Sequence, residues 1–172
     1  PWGACITGIS GVGKSAVFSR VDRLLAGEDV IRLVHAAGIG VRSIQLDSVL
    51  LRWTGELARA LQLDPPLDEA STSRQVEQAF ARLLAQASQK HRVVLLVDAL
   101  EQLEPTPRVQ QSTWLPDPWP ENARLIATTI PGPVSEALER RSGVERMSLG
   151  PLGPEQARQM AEAVASRRGR RL

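Results

Sequence analysis

The chain has 172 residues, a formal net charge of +2, 42% hydrophobic residues and 23% charged residues. This composition is ordinary for a globular domain that buries its own core. The longest apolar run, residues 93–97, is far too short to cross a membrane, and no signal peptide is visible. The single cysteine, Cys5, excludes an internal disulfide and favours a reducing, cytoplasmic compartment. Because the sequence begins with Pro1 and not with methionine, we expect a fragment of a longer protein.

The first motif lies at residues 8–15, whose sequence G-I-S-G-V-G-K-S matches the phosphate-binding P-loop pattern G-x-x-x-x-G-K-S. The apolar segment before it, residues 4–7, predicts a buried strand, and apolar residues at helical spacing over 17–25 predict a helix behind it. Strand, glycine-rich loop and helix together allow backbone N–H groups to enclose phosphates. The predicted nucleotide-binding residues are Gly8, Ile9, Ser10, Gly11, Val12, Gly13, Lys14, Ser15 and Ala16.

Two side chains of the P-loop carry the predicted chemistry. Lys14, which we assign as a catalytic residue, is expected to reach the β- and γ-phosphates, and Ser15 to place its hydroxyl on Mg²⁺. Lysine is rare in this chain, since only Lys14 and Lys90 occur among 21 basic residues. A chance lysine at this position of the motif is therefore improbable, and we predict ATP or ADP with Mg²⁺ as the ligand.

Strands and helices then alternate along the chain, which favours an α/β fold with a parallel sheet. The further strands are predicted at residues 30–35, 93–98, 125–129 and 144–149. Helices are predicted to begin at Asp47 or Ser48, at Ser71 or Ser73, at Ser135 and at Pro154, the last with Ala157, Met160, Ala161 and Val164 facing inward.

A metal-binding carboxylate is expected opposite the P-loop. Asp98 directly follows the apolar run 93–97, as a Walker B aspartate does, and ligands of open α/β sheets bind at that end of the strands. We predict that Asp98 holds Mg²⁺ through a water molecule. The alternative is an aspartate that merely ends a strand and starts a turn.

Two further positions are candidates for contact with the attacking water. Glu101 lies three residues after Asp98 and is predicted to polarise the water, with Glu104 as a weaker candidate; a solvated loop charge is the alternative. Thr128 and Thr129 end the fourth strand and could sense the γ-phosphate or hydrogen-bond the water. Threonine is also a common strand residue, so both interpretations of this pair stay open.

Several classes of nucleotide-binding protein are disfavoured. The chain has no Asn-Lys-x-Asp motif for guanine and no Leu-Ser-Gly-Gly-Gln transporter signature, and it lacks clustered Cys and His residues for a metal site. The basic cluster at residues 167–171 has no interleaved aromatic residues for base stacking, so we interpret it as a solvated helix end or the start of a linker. ATP is favoured over GTP, and nucleic acid is not a favoured partner.

Residues 8–15, 98–103 and 125–132 together resemble the NACHT-type branch of the STAND ATPases, and Trp114-Leu115-Pro116 and residues 149–157 are similar too. The resemblance spans nearly the whole chain. It implies a conformational switch in a long multidomain protein that rests with ADP, exchanges it for ATP on a stimulus and then oligomerises. Such proteins serve in signalling and, in bacteria, in antiphage defence, and we expect a bacterial origin. By this likeness Gly8, Gly13, Lys14 and Ser15 take Walker A roles, Asp98 and Glu101 Walker B roles, and Thr128 the first sensor role.

Two residues depart from the family pattern. Ile130 stands where the family often has an arginine after the polar pair, and Gln102 stands where many members have a second acidic residue. The first departure puts direct γ-phosphate sensing from this strand in doubt, and the second predicts that hydrolysis is slow.

We therefore predict a three-layer α/β/α P-loop NTPase of the ASCE type, with a parallel five-stranded sheet ordered 5-1-4-3-2. Residues 1–150 would form the nucleotide-binding core, and residues 151–172 the start of a helical lid or linker. The predicted function is Mg-ATP binding with slow hydrolysis as a signalling or defence switch. Expected partners are the nucleotide, other domains of the longer chain and a nucleotide-dependent homo-oligomer, without a membrane. The alternatives are a nucleotide-binding scaffold without turnover and an AAA+-like ATPase that acts on DNA.

Overall fold

The computed structural model describes residues 1–68 and 70–167. Five strands form one sheet: β1 (Gly3–Thr7), β2 (Val30–Ala36), β3 (Arg92–Asp98), β4 (Ala123–Thr129) and β5 (Val144–Ser148). The α-helices are α1 (Lys14–Leu25), α2 (Leu46–Ala60), α3 (Ser73–Ser88), α4 (Pro107–Gln110), α5 (Pro133–Glu139) and α6 (Pro154–Arg167). Short 3₁₀ turns lie at Val41–Ser43 and Leu100–Gln102. Each predicted strand is present to within two residues at either end.

The strands pair only in parallel, in the order β2-β3-β4-β1-β5. Read from the other edge, this is the predicted order 5-1-4-3-2, which is confirmed. Parallel pairing puts the carboxyl ends of all strands at one rim of the sheet. At that rim Thr7 of β1 lies opposite Thr129 of β4, and Val97 of β3 opposite Ala127 of β4. The next residues along, Asp98 and Thr128, are therefore neighbours.

Helices cover both faces of the sheet. On one face Phe18 of α1 packs with Val94 and Leu96, and Ile126 lies against them. The other face carries the larger core, in which α2 packs against β2 and α3 against β3, and Trp53 of α2 meets Phe80 of α3 with ring centroids 5.9 Å apart. Alternate strand residues point to opposite faces, so an apolar strand such as β3 is buried on both sides. The predicted three-layer α/β/α arrangement is confirmed.

The helix starts differ from the predicted caps. Helix α2 begins after Gln45, not at Asp47 or Ser48, and the Asp47 carboxylate instead accepts hydrogen bonds from Arg108 at 2.9 Å and Ser73 at 2.5 Å. Those bonds tie α2 to α3 and α4, which is why this carboxylate does not cap its own helix.

The cap of α3 is Thr72, between the two predicted serines, Ser71 and Ser73. Its hydroxyl accepts from the Gln75 amide, and the Gln75 side chain accepts from the Thr72 amide at 2.9 Å. This capping box satisfies two amides reciprocally, and neither serine has a glutamine or glutamate three residues on to do the same.

Helix α6 does not bury the predicted apolar face. Met160 is 56% exposed and Ala157 is exposed, so their predicted inward placement is wrong. The preceding strand β5 is itself exposed over residues 145–148 and offers α6 little apolar surface. The side chains of Ala161 and Val164, and residues 168–171 of the basic cluster, lie outside what the structure describes. Within the described ranges, each helix is too short or too polar to span a bilayer.

Candidate functional site

The backbone of the loop between β1 and α1 depends on its glycines. Gly11 and Gly13 have φ angles of 80° and 105°, in the left-handed region that other residues rarely adopt. A Cβ on Gly8 would lie 2.7 Å from the Leu149 carbonyl oxygen and 2.7 Å from a Val12 methyl group. The chain that follows β5 therefore packs directly against the start of the loop and leaves no room for a larger residue there.

The loop leads into a helix terminus that is open to an anion. Helix α1 begins at Lys14 after the N-cap Gly13, without a side-chain cap and without an acidic residue in its first turn. Its first N–H groups and the positive end of its dipole are thus left to the loop, and Ser15 is exposed in this first turn. This combination of groups binds phosphate.

The Lys14 ammonium is folded into the same loop. Its Nζ donates to the carbonyl oxygens of Gly8 at 2.7 Å and Ile9 at 3.0 Å, and the residue is 9% exposed. The loop thus holds a cation among uncapped N–H groups. The N–H groups are hydrogen-bond donors and the ammonium is a positive charge, so together they fit the phosphate oxygens of a nucleoside triphosphate. The Ser15 hydroxyl adds a ligand suited to Mg²⁺.

Asp98 and Thr128 meet directly at the rim of the sheet. Thr128 donates its hydroxyl proton to Asp98 Oδ1 at 2.5 Å and accepts from the Ala99 amide at 3.0 Å. Asp98 is 8% exposed and Thr128 is 0% exposed. Strand β4 alone separates β3 from β1, so the rim positions of Asp98 and of the P-loop are roughly 10 Å apart at two strand spacings. A hydrated magnesium ion with its side-chain ligands fits such a gap.

Glu101 lies in the 3₁₀ turn directly after Asp98. Its Oε2 is buried and has no hydrogen-bond partner among the described residues. A buried carboxylate oxygen without a donor is costly, and a water or ligand hydroxyl at this point would remove that cost. Two backbone hydrogen bonds fix the ends of this turn to the chain that follows β2. The Ala37 amide donates to the Asp98 carbonyl at 3.0 Å, and the Glu104 amide donates to the Ile44 carbonyl at 2.8 Å.

The two threonines that end β4 face opposite sides of the sheet. Thr128 follows Ile126 on the α1 side, where Asp98 also lies, whereas Thr129 pairs with Thr7 on the other side and donates to the Ile130 carbonyl at 3.2 Å. The strand pattern alone did not separate these two threonines, although the family resemblance gave the first sensor role to Thr128. Sequence reasoning also passed over Thr7, whose Oγ1 is buried and has no partner in the described part of the chain. The signal for Thr7 was the one used for Thr128: a polar residue that ends an apolar strand.

Two other ionisable groups, Cys5 and His35, are not part of the Asp98–Thr128 pair. Cys5 is fully buried, as predicted, and burial together with the nearby Glu139 carboxylate raises the pKa of its thiol to about 12. A cavity of about 970 Å³ lies beside β2 and α2, is lined in part by His35 and Arg52, and has no P-loop residue among its lining residues. Burial lowers the pKa of His35, whose Nε2 donates to the Ser43 carbonyl at 2.8 Å. Groups of three or more potential metal-binding side chains are absent from residues 1–68 and 70–167.

The sheet order, with the P-loop between the interior strand β1 and helix α1, defines the fold of the P-loop ATPases, the class that the sequence predicted. No family model matches the chain.

The comparisons with solved structures agree with this fold. Cdc6p from Pyrobaculum aerophilum superposes with a TM-score of 0.60 and 16% identity, over 92% of this chain and 41% of that one. The Aeropyrum pernix ORC2 protein, solved as ADPNP-ADP complexes, gives a TM-score of 0.56 and 13% identity, over 95% of this chain and 45% of that one. At such identities the likeness establishes the fold alone.

One curated relative matches in sequence. A TPR repeat-containing protein of Dictyostelium discoideum is 22% identical in an alignment 207 positions long, which covers 97% of this chain and 12% of that protein. The chain therefore spans a small part of this relative and less than half of either solved structure.

Proposed function

We propose that this chain binds Mg-ATP and hydrolyses it slowly, as the conformational switch of a STAND-type, NACHT-like signalling or defence ATPase. The observation that carries the proposal is the uncapped start of α1 behind a glycine-dependent loop, with Lys14 inside the loop and Asp98 at the same rim of the sheet. The ORC2 protein, which has the same fold, was solved as ADPNP-ADP complexes, and this supports adenine nucleotide as the ligand.

Different residues of the site would bind the phosphates, hold Mg²⁺ and orient the attacking water. Backbone amides within residues 8–16 would donate hydrogen bonds to the β- and γ-phosphates, and the Lys14 ammonium would neutralise part of their charge. The Ser15 hydroxyl and, through water, the Asp98 carboxylate would hold Mg²⁺, which when bound neutralises charge that develops on the phosphate oxygens. The free Oε2 of Glu101 would accept a proton of the attacking water and orient it.

Slow turnover is proposed from two positions beside these groups. Ile130, which follows the threonine pair, is 39% exposed and has no charge to offer a phosphate. Gln102, after Glu101, supplies no second carboxylate. A switch needs long-lived nucleotide states more than fast cycles, so a sparse hydrolytic site fits this role.

The proposed partners follow from the size of the relatives. Because the chain spans 12% of one relative and 41% to 45% of two structures, we propose that residues 1–150 form the core, that residues 151–172 lead into a lid or linker, and that further domains read out the nucleotide. Nucleotide-dependent self-association and a cytoplasmic location belong to the same proposal. The structural likeness to Cdc6p and ORC2 does not add DNA to it.

The binding step is tested with Lys14→Ala. Removal of a charged donor costs about 1.5–3 kcal/mol, so we expect ATP affinity to fall roughly 10–100-fold. The control is Lys90→Ala, which removes the other lysine from an exposed turn and should bind ATP like the wild type. An unchanged ATP affinity of Lys14→Ala, measured by titration with a fluorescent nucleotide, would refute the proposal.

A nucleotide-binding scaffold without turnover is the second candidate. It is favoured by Ile130 and Gln102, because neither side chain supplies a charge that would assist hydrolysis. The two functions differ at Glu101. If the chain is an ATPase, Glu101→Gln should abolish phosphate release and keep ATP binding, while Glu28→Gln, on an exposed turn, should change neither. If wild type and Glu101→Gln release phosphate at the same background rate, the scaffold is the correct function.

A further inference from the structure

Thr128 makes contacts that assign it a role other than contact with the nucleotide. We propose that Thr128 is a positioning residue, which orients the metal-holding carboxylate of Asp98 and the turn that carries Glu101. This inference rests on the proposed function in one respect, namely that Asp98 holds Mg²⁺.

The first step is the hydrogen-bonding capacity of the hydroxyl. A threonine hydroxyl has one proton to donate and two lone pairs. In this structure the proton goes to Asp98 Oδ1 at 2.5 Å, and one lone pair accepts the Ala99 N–H at 3.0 Å. Phosphate oxygens are acceptors, so a contact with the γ-phosphate would need the proton that Asp98 already receives. Thr128 cannot serve both partners at once.

The second step is accessibility. Thr128 is 0% exposed and lies within β4, so the remaining lone pair is closed to a water molecule. Asp98 is 8% exposed. With Oδ1 bound to Thr128, Oδ2 is the oxygen left for the metal or its water. The hydroxyl thus selects which oxygen of the carboxylate is offered.

The third step is the turn after Asp98. Ala99 has a φ of 56°, in the left-handed region, and its amide is the one that Thr128 accepts. Glu101 follows in the 3₁₀ turn Leu100–Gln102. One hydroxyl therefore fixes both the carboxylate and the reversal of the chain that places Glu101. Threonine is suited to this, since its branched Cβ restricts χ1.

The experiment measures how Mg²⁺ affects nucleotide binding, and does not depend on turnover. Affinities for ADP and for the non-hydrolysable ADPNP are measured in EDTA and across a Mg²⁺ titration. We expect Thr128→Val to need about tenfold more Mg²⁺ for half of the effect, as for the loss of other partners that orient metal ligands. The shift should be equal for ADP and ADPNP, with wild-type affinities in EDTA. Thr128→Ser, which keeps the hydroxyl, should restore most of the Mg²⁺ response.

The matched control is Thr54→Val. Thr54 is also buried and also bonded, to the Leu50 carbonyl at 2.7 Å, but it lies within α2. This variant loses a buried hydroxyl and should keep the wild-type Mg²⁺ response. If Thr128→Val does not fold, Thr128→Ala takes its place with the same expectations.

Three results would overturn the inference, and they are distinguishable. A loss confined to ADPNP and present in EDTA would show direct contact of Thr128 with the γ-phosphate. A wild-type Mg²⁺ response of Thr128→Val would show that the hydroxyl does not position Asp98. If the wild type itself bound nucleotide without any effect of Mg²⁺, or not at all, the proposed function would fail first and the inference with it.

Discussion

The substitution Gly8→Ala tests whether the start of the P-loop is shaped by the chain that follows β5. The added Cβ would lie 2.7 Å from the Leu149 carbonyl oxygen and 2.7 Å from a Val12 methyl group, about 0.7 Å inside the 3.4 Å at which ordinary contact begins. Val12 can move within the loop. The Leu149 oxygen is backbone, and its residue is anchored by a 2.7 Å hydrogen bond from its amide to the Thr7 carbonyl.

The clash therefore has to be relieved by a shift of the loop itself. Overpacking of this kind costs about 1–3 kcal/mol of stability. The loop shift also moves the Gly8 carbonyl, which holds Lys14 Nζ at 2.7 Å. Because a misplacement of about 1 Å can cost on the order of 100-fold in a preorganised site, we expect a loss of ATP affinity of roughly tenfold for the smaller shift estimated here.

Stability is measured by urea denaturation and affinity by nucleotide titration. The matched control is Gly55→Ala, since a Cβ at Gly55 meets nothing within 4 Å and its φ is not in the left-handed region. Gly55 lies inside α2, so this control should gain about 1 kcal/mol from helix propensity. If Gly8→Ala were as stable as the wild type and bound ATP equally well, the close approach of Leu149 would not shape the loop.

Three further predictions concern the scaffold around the site, and urea denaturation measures all of them. Trp53→Ala, at a fully buried side chain of the larger core, should cost about 3–5 kcal/mol, and a loss below about 1 kcal/mol would contradict that core. Burial raises the pKa of Asp47, but hydrogen bonds from Arg108 and a serine outweigh it and hold the pKa below the usual 3.8. The stability from this shift is present above about pH 4 and disappears as the pH falls through the folded-state pKa. Arg108→Met should reduce the stability that is lost between neutral and acid pH, by less than about 1 kcal/mol because the Arg108–Asp47 ion pair is partly exposed. An unchanged dependence of stability on pH would argue against this ion pair. Arg141→Lys keeps the charge but loses the forked guanidinium, which donates to three carbonyls of residues 112–116 at 2.5–3.1 Å. We expect it to lower the free energy of unfolding by about 1–3 kcal/mol. Arg140→Lys, at the exposed neighbouring position, should cause no such loss.

The parts of the fold that sequence predicted are those in which a local pattern is sufficient. Apolar runs such as 93–97 are strands because a parallel sheet buries both of their faces. Helix caps were not predictable in the same way. Asp47 looked like a cap in sequence, but its partner Arg108 lies 61 residues away, and only the packing of α2 against α4 shows that the carboxylate is already used.

In the candidate site, too, some features follow from a local sequence pattern and others depend on the folded structure. The P-loop and the position of Asp98 at a strand end follow from spacing and from the alignment of parallel strands. The direction in which a hydroxyl donates its proton does not follow from spacing. Thr128 and Thr129 are adjacent threonines, and their contacts differ because successive side chains of β4 point to opposite faces of the sheet. The buried oxygen of Glu101 likewise depends on the turn that follows Asp98.

The left-handed alanine at that turn gives a last test of how the site is built. Ala99 has a φ of 56°, and the left-handed region costs a residue with a Cβ about 1–2 kcal/mol. Ala99→Gly would remove this cost but lose about 0.5–1 kcal/mol through the greater freedom of the unfolded chain, so a net gain of about 0.5–1 kcal/mol is expected. Gln62, with a φ of 58° at the end of α2, is the matched control, and Gln62→Gly should give a similar gain. If Ala99→Gly lost stability while Gln62→Gly gained it, the alanine methyl would have to make a favourable contact. The left-handed turn would then be a packed feature and not a strained one that the Thr128 hydroxyl holds in place.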